Sequence, residues 1–122
     1  KNLQAPYRGS YFGVLRLADG AVLVFGLRGS LYRSDDDGAT WKKVLARTEA
    51  TLLGGSALAD GSVALAGYDG TILLSRDGGR RFEFHRTSDG KALSSALQDP
   101  GGDLLVVGEA GAARFAVSRL GR

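Results

Sequence analysis

A block of eight residues occurs twice in this chain, 41 positions apart. Ser34-Asp35-Asp36-Asp37-Gly38-Ala39-Thr40-Trp41 and Ser75-Arg76-Asp77-Gly78-Gly79-Arg80-Arg81-Phe82 both read S-x-D-x-G-x-x-[WF]. Other landmarks keep the same offset. Ala18-Asp19-Gly20 returns as Ala59-Asp60-Gly61, and Gly13 as Gly54. Gly26 and Gly29 return as Gly67 and Gly70, then as Gly108 and Gly111, with no insertion between copies. A fixed period of this length marks a repeat architecture, in which each unit buries its apolar surface against its neighbours.

Within each repeat, short apolar runs are cut by turn residues every 8–12 positions, the rhythm of an all-β chain. The first repeat predicts strands over Tyr11–Leu17, Ala21–Gly26, Ser30–Ser34 and Trp41–Leu45. The second predicts them over Leu52–Leu58, Ser62–Gly67, Thr71–Ser75 and Phe82–Arg86. The third gives Ser94–Gln98, Asp103–Gly108 and Ala112–Val117, with Asp99-Pro100-Gly101-Gly102 as its first turn. Val22–Phe25 and Leu104–Val107 are apolar on both faces, as strands buried between two packed sheets are. Four strands per repeat of about 40 residues is the pattern of a β-propeller blade.

The shared block has a mechanical role in such a blade. A tight turn between third and fourth strands leaves backbone N–H groups without ladder partners. The side chains of Ser34 and Asp36, and of Ser75 and Asp77, can take those groups. Gly38 and Gly79 suit a positive φ. Trp41 and Phe82 then open the fourth strand and fill the space between blades. The chain resembles the BNR or Asp-box repeat propellers over all three repeats. The string from Gly67 through Tyr68-Asp69-Gly70 to Ser75-Arg76-Asp77-Gly78-Gly79 is most similar to the photosystem II stability/assembly factor-like propellers. The third repeat departs from the pattern, with Ala116, Ser118 and Leu120 where Ser, Asp and Gly belong.

The register places Lys1-Asn2-Leu3-Gln4 in the body of a fourth strand, equivalent to Lys42–Leu45. The expected division is residues 1–8 as the outer strand of a preceding blade and two complete blades at 9–48 and 49–90. A degenerate blade lacking its outer strand follows at 91–122. Closed propellers have about 4–8 blades, so the expectation is a partial propeller belonging to a larger ring, seven-bladed as the resemblance implies. The alternative is a three-blade protein that pairs with a second copy.

Composition narrows the function. Of 122 residues none is Cys or Met, which removes disulfide, thiol and thioether chemistry. The net charge is +3, carried by twelve Arg and four Lys that are scattered along the chain. A nucleic-acid interface would cluster them among aromatics, so no nucleic-acid partner is expected. No apolar run reaches the roughly 20 residues of a membrane helix, and none of the sequence is expected to insert in a bilayer. Asp35-Asp36-Asp37 lacks the spacing and closing Glu of a calcium loop, and its second copy is Arg76-Asp77-Gly78, so neither metal nor cofactor is expected. His85, on an outermost strand, is read as a solvated edge residue.

Propeller topology puts the strand 2–3 hairpins and the inter-blade loops on one rim. That rim holds Arg28, Arg47, Tyr68, Asp69, Arg86 and Glu109, with Lys91 nearby and Tyr11 and Phe12 closer to the axis. Loops on a rigid scaffold commonly carry binding. The family resemblance implies a non-enzymatic scaffold that binds another protein, among them membrane-protein or transporter components. It also implies an extracytoplasmic setting, periplasmic in a non-photosynthetic bacterium. The alternative is a sialidase-like glycoside hydrolase, for which Arg16, Tyr11 and Glu109 would be fragments of a site. Such chemistry needs carboxyl groups or their equivalents set across a sugar ring, and the innermost runs are instead apolar or small.

Overall fold

A computed structural model describes residues 11–57, 61–87, 89–98, 103–109 and 111–115. The chain there is all-β, in three antiparallel meanders. The first sheet runs β1 (Tyr11–Arg16), β2 (Val22–Gly26), β3 (Leu31–Ser34) and β4 (Lys42–Lys43). The second runs β5 (Leu52–Ala57), β6 (Val63–Gly67), β7 (Thr71–Ser75) and β8 (Glu83–Arg86). The third holds β9 (Leu93–Gln98), β10 (Leu104–Gly108) and β11 (Gly111–Phe115). The expected fold class, a partial β-propeller, is the one found. The expected strand at Lys1–Gln4, the turn over 99–102 and the lost box at Ala116, Ser118 and Leu120 lie outside the described residues.

The period is kept to the residue in the first two strands: β1, β5 and β9 start 41 apart, as do β2, β6 and β10. Each innermost strand also carries one bulge at the same place. Tyr11 pairs with Gly26 and Gly13 with Phe25, leaving Phe12 extra. Leu53 and Ser94 are the extra residues in the other two copies. A bulge adds local twist to a strand, and here the same twist is imposed three times.

Two sandwiched cores follow from this stacking. Leu23, Phe25 and Leu31 of the first blade meet Leu52, Val63, Leu65, Leu73 and Phe82 of the second, all buried. Ala64, Ala66, Ile72 and Leu74 on the other face of the second blade meet Leu93, Ala96, Leu104 and Val106. The middle sheet is therefore covered on both sides, which explains why Val63–Gly67 and Thr71–Ser75 are buried at every position. Gly54 shows how closely the innermost strands approach, because a Cβ there would lie 2.2 Å from the Ser94 carbonyl oxygen.

The outward faces of the end sheets remain open among the described residues. Val14 is 60% exposed and Phe12 51% on the first, and Leu97 is 59% exposed on the third. Trp41 and Phe82 differ for this reason. Phe82 lies inside the first seam, whereas Trp41, at the equivalent position on the open face, is half-buried.

The structure corrects the third repeat at Gly111. In the first two blades, Gly29 and Gly70 close short 3-10 turns, Leu27–Gly29 and Tyr68–Gly70. The pairing Phe25↔Leu31 would recur as Val107↔Ala113 in the third blade, but Val107 pairs with Ala112. The hairpin is one residue tighter, and Gly111 pairs directly with Gly108. With a period of two, a one-residue slip reverses which side each β11 residue faces relative to its counterparts. The fourth strand of the first blade is also shorter than its run, Lys42–Lys43 in place of Trp41–Leu45.

Candidate functional site

Two kinds of loop lie at opposite ends of the strands. On one end, the Ser-Asp turns repeat a single hydrogen-bond design. Ser34 Oγ accepts the Gly38 N–H at 2.8 Å and donates to Asp36 Oδ1 at 2.7 Å. Asp36 then accepts the Thr40 N–H at 2.8 Å and its hydroxyl at 2.5 Å. In the second copy Ser75 Oγ accepts Gly79 N–H at 2.9 Å, and Asp77 accepts from Arg80 and Arg81 N–H at 3.1 and 2.9 Å. Gly38 and Gly79 have φ of 93° and 83°, and the residue before each is left-handed too: Asp37 at 62°, Gly78 at 77°. The first copy thus bears a backbone conformation that the second assigns to glycine.

The donors around Asp36, first the Thr40 hydroxyl and then the Thr40 N–H and Ser34, lower its pKa from 3.8 to about 2. Depression in the folded state means that the stabilising effect is complete above 3.8 and is lost as pH falls through about 2. We expect Asp36→Asn to flatten the acid limb of stability in that window. Urea midpoints measured at intervals from pH 5 to pH 2 check this; parallel curves for both proteins would exclude it.

The three consecutive carboxylates go to different partners. Asp35 pairs with Arg33, Asp36 closes the turn, and Asp37 Oδ1 accepts Arg16 Nη1 at 2.8 Å. Arg16 also donates to the Gly20 carbonyl at 2.9 Å, so its guanidinium is held at the Ser-Asp turn end. His85 sits on β8, half-buried, with Nε2 3.5 Å from Glu83 Oε1.

The residues expected at a rim lie at the opposite end. Arg28 occupies a left-handed position at φ 56° and its N–H donates to Thr51 Oγ1 at 3.1 Å, which ties the hairpin to the next blade. Arg47, at φ 64°, lies in the β4–β5 connection. Both side chains are exposed and line one cleft of about 720 Å³ with Lys43 and Glu49. Lys43 is the residue sequence reasoning missed; alternation along Lys42–Lys43 was the available signal, since neighbours on a strand face opposite sides. Tyr68, Asp69 and Arg86 form a separate group on the second blade. There Arg86 Nε donates to the Asp69 carbonyl at 2.9 Å, and Tyr68 is 50% exposed. Glu109 Oε1 accepts the Ala92 N–H at 2.9 Å. The rim residues are therefore distributed blade by blade, with Arg28 and Arg47 brought together.

A solved structure described as YCF48 bound to D1 peptide superposes on 88% of this chain with a TM-score of 0.58 and 18% sequence identity. This chain spans 35% of that one. The likeness shows the propeller fold. No family model and no curated protein matches the sequence.

Proposed function

We propose that this chain is part of a non-enzymatic β-propeller scaffold, of the Asp-box, assembly-factor-like type, that docks another protein on its hairpin-side rim. The observation that carries the reading is the cleft where Arg28, Lys43 and Arg47 converge, with Glu49 as its one carboxylate among the described residues. Guanidinium groups on a rigid frame suit carboxylates, because their planar fork donates two parallel hydrogen bonds. The fold likeness to a propeller bound to a peptide is consistent with a protein partner. That partner would be a membrane-protein or transporter component met outside the cytoplasm, in the periplasm. The open faces of the first and third sheets would be covered by further blades or by a second copy, because soluble proteins rarely leave such apolar surface bare.

The test is charge reversal. Arg28→Glu with Arg47→Glu is expected to weaken binding of a fluorescein-labelled Asp/Glu-rich peptide at least tenfold, with an unchanged melting temperature. Undiminished binding would overturn the reading, as would turnover of fluorogenic sialosides or β-glucosides by the protein.

A further inference from the structure

A second basic cleft lies at the Ser-Asp turn end of the first seam, on the outer edge of the propeller. It is small, about 200 Å³, and lined by Arg33, Asp35, Lys42, Lys43, Val44 and Arg80. These residues come from both sheets: β3 and β4 of the first blade, and the β7–β8 turn of the second. We propose that this cleft binds a phosphate or sulfate group, a function distinct from the rim's, although Lys43 borders both clefts.

The charge arrangement favours such an anion. Arg33 is the floor of the cleft, its side chain only 5% exposed. It donates through Nε to the Gly78 carbonyl at 2.9 Å and through Nη2 to Asp19 Oδ2 at 2.7 Å, and it also pairs with Asp35. One guanidinium thus engages both Asp19 and Asp35 and offsets one of their two charges toward an incoming anion. Above it stand Lys42, which pairs with Arg33 across the ladder and so shares its face, and Arg80. The Lys42 side chain has no ion pair or hydrogen bond among the described residues. Arg80 is held over the site by Nη1 donating to the Asp77 carbonyl at 3.1 Å, with Nη2 3.8 Å from Asp19. Lys42 and Arg80, with spare donors, match a tetrahedral oxyanion better than a single carboxylate, whose two oxygens would accept fewer of those donors. The volume supports the same choice, since organic ligands of drug size occupy about 300–1,000 Å³. Val44 closes the inner wall, and its apolar surface lowers the local dielectric beside the charges.

Lys42 and Arg80 belong to this cleft and do not line the rim cleft, and both are exposed, so they can be changed without touching the core. Titration calorimetry of the full chain at low ionic strength, with inorganic phosphate, sulfate and tripolyphosphate as probes, measures the site. The expected result is one anion per chain, tighter for tripolyphosphate, with binding of every probe weakened at least tenfold by Lys42→Ala/Arg80→Ala. Arg28→Ala/Arg47→Ala at the rim should leave it unchanged. Tripolyphosphate binding without phosphate or sulfate binding would identify a chain polyphosphate as the source of the group and would still place it here. Unchanged binding in Lys42→Ala/Arg80→Ala would overturn the proposal. So would loss only in the rim variant, or several weak anions per chain.

Discussion

Phe82→Ala is expected to destabilise the chain by about 3–5 kcal/mol, and Trp41→Ala by less than half as much. The two aromatics occupy the same position of the repeat. Phe82 is buried in the first seam, among a cluster that includes Leu17, Leu23, Leu65 and Leu73. Truncating it removes a ring from close-packed surroundings that relax only in part, so a cavity is added to the lost transfer free energy. Trp41 is half-buried on the open face, and much of its surface is already in water. Larger side chains normally cost more, so the sequence alone would rank the two in the opposite order. Urea denaturation of both variants gives the comparison directly. Equal costs would mean that the open face is covered in solution, by a second copy or a further blade, and a concentration-dependent midpoint would identify the second copy.

The second large effect concerns the buried guanidinium. Asp19→Asn together with Asp35→Asn is expected to cost about 3 kcal/mol, near the lower end for breaking a buried ion pair. Arg33→Met should cost less, about 1–2 kcal/mol. The asymmetry comes from burial. Arg33 is 5% exposed, so without its carboxylates it is a buried charge with neutral acceptors alone, among them the Gly78 carbonyl. Asp19 and Asp35 are 45% and 58% exposed, so without Arg33 they return to water at little cost. Melting temperatures or urea midpoints rank the variants. If Arg33→Met were the more damaging, the guanidinium would be stabilising chiefly by packing.

Much of the architecture was legible because repetition removes ambiguity. One apolar run fits a strand or a short helix, but the same run three times at one spacing, each bounded by Gly or Asp-Gly, fits only repeated strands. The Ser-Asp turn was legible for a related reason: its hydrogen bonds lie within a few residues, so the local string contains donor and acceptor together. The tightened third hairpin was not legible. Gly111 stands at the same offset as Gly29 and Gly70, and a glycine accommodates either turn, so its identity does not report which one forms. The rim was half legible. Topology put Arg28 and Arg47 at one end of the strands, yet their shared cleft with Lys43 depends on how the β4–β5 connection folds against the hairpin.

The linear sequence, then, determined the period, the strand order within each blade and the turn chemistry, since each is governed by neighbours a few residues apart. Tertiary structure alone decided the rest. Position 33 shows it: Arg33 and Leu74 are equivalents in the repeat, and both are buried at seams. Leucine at that place needs only apolar contact. Arginine needs Asp19 from a preceding turn, Asp35 beside it and a carbonyl from the next blade. A charge can be buried only where separate segments bring it partners, and that meeting is a property of the stacked blades.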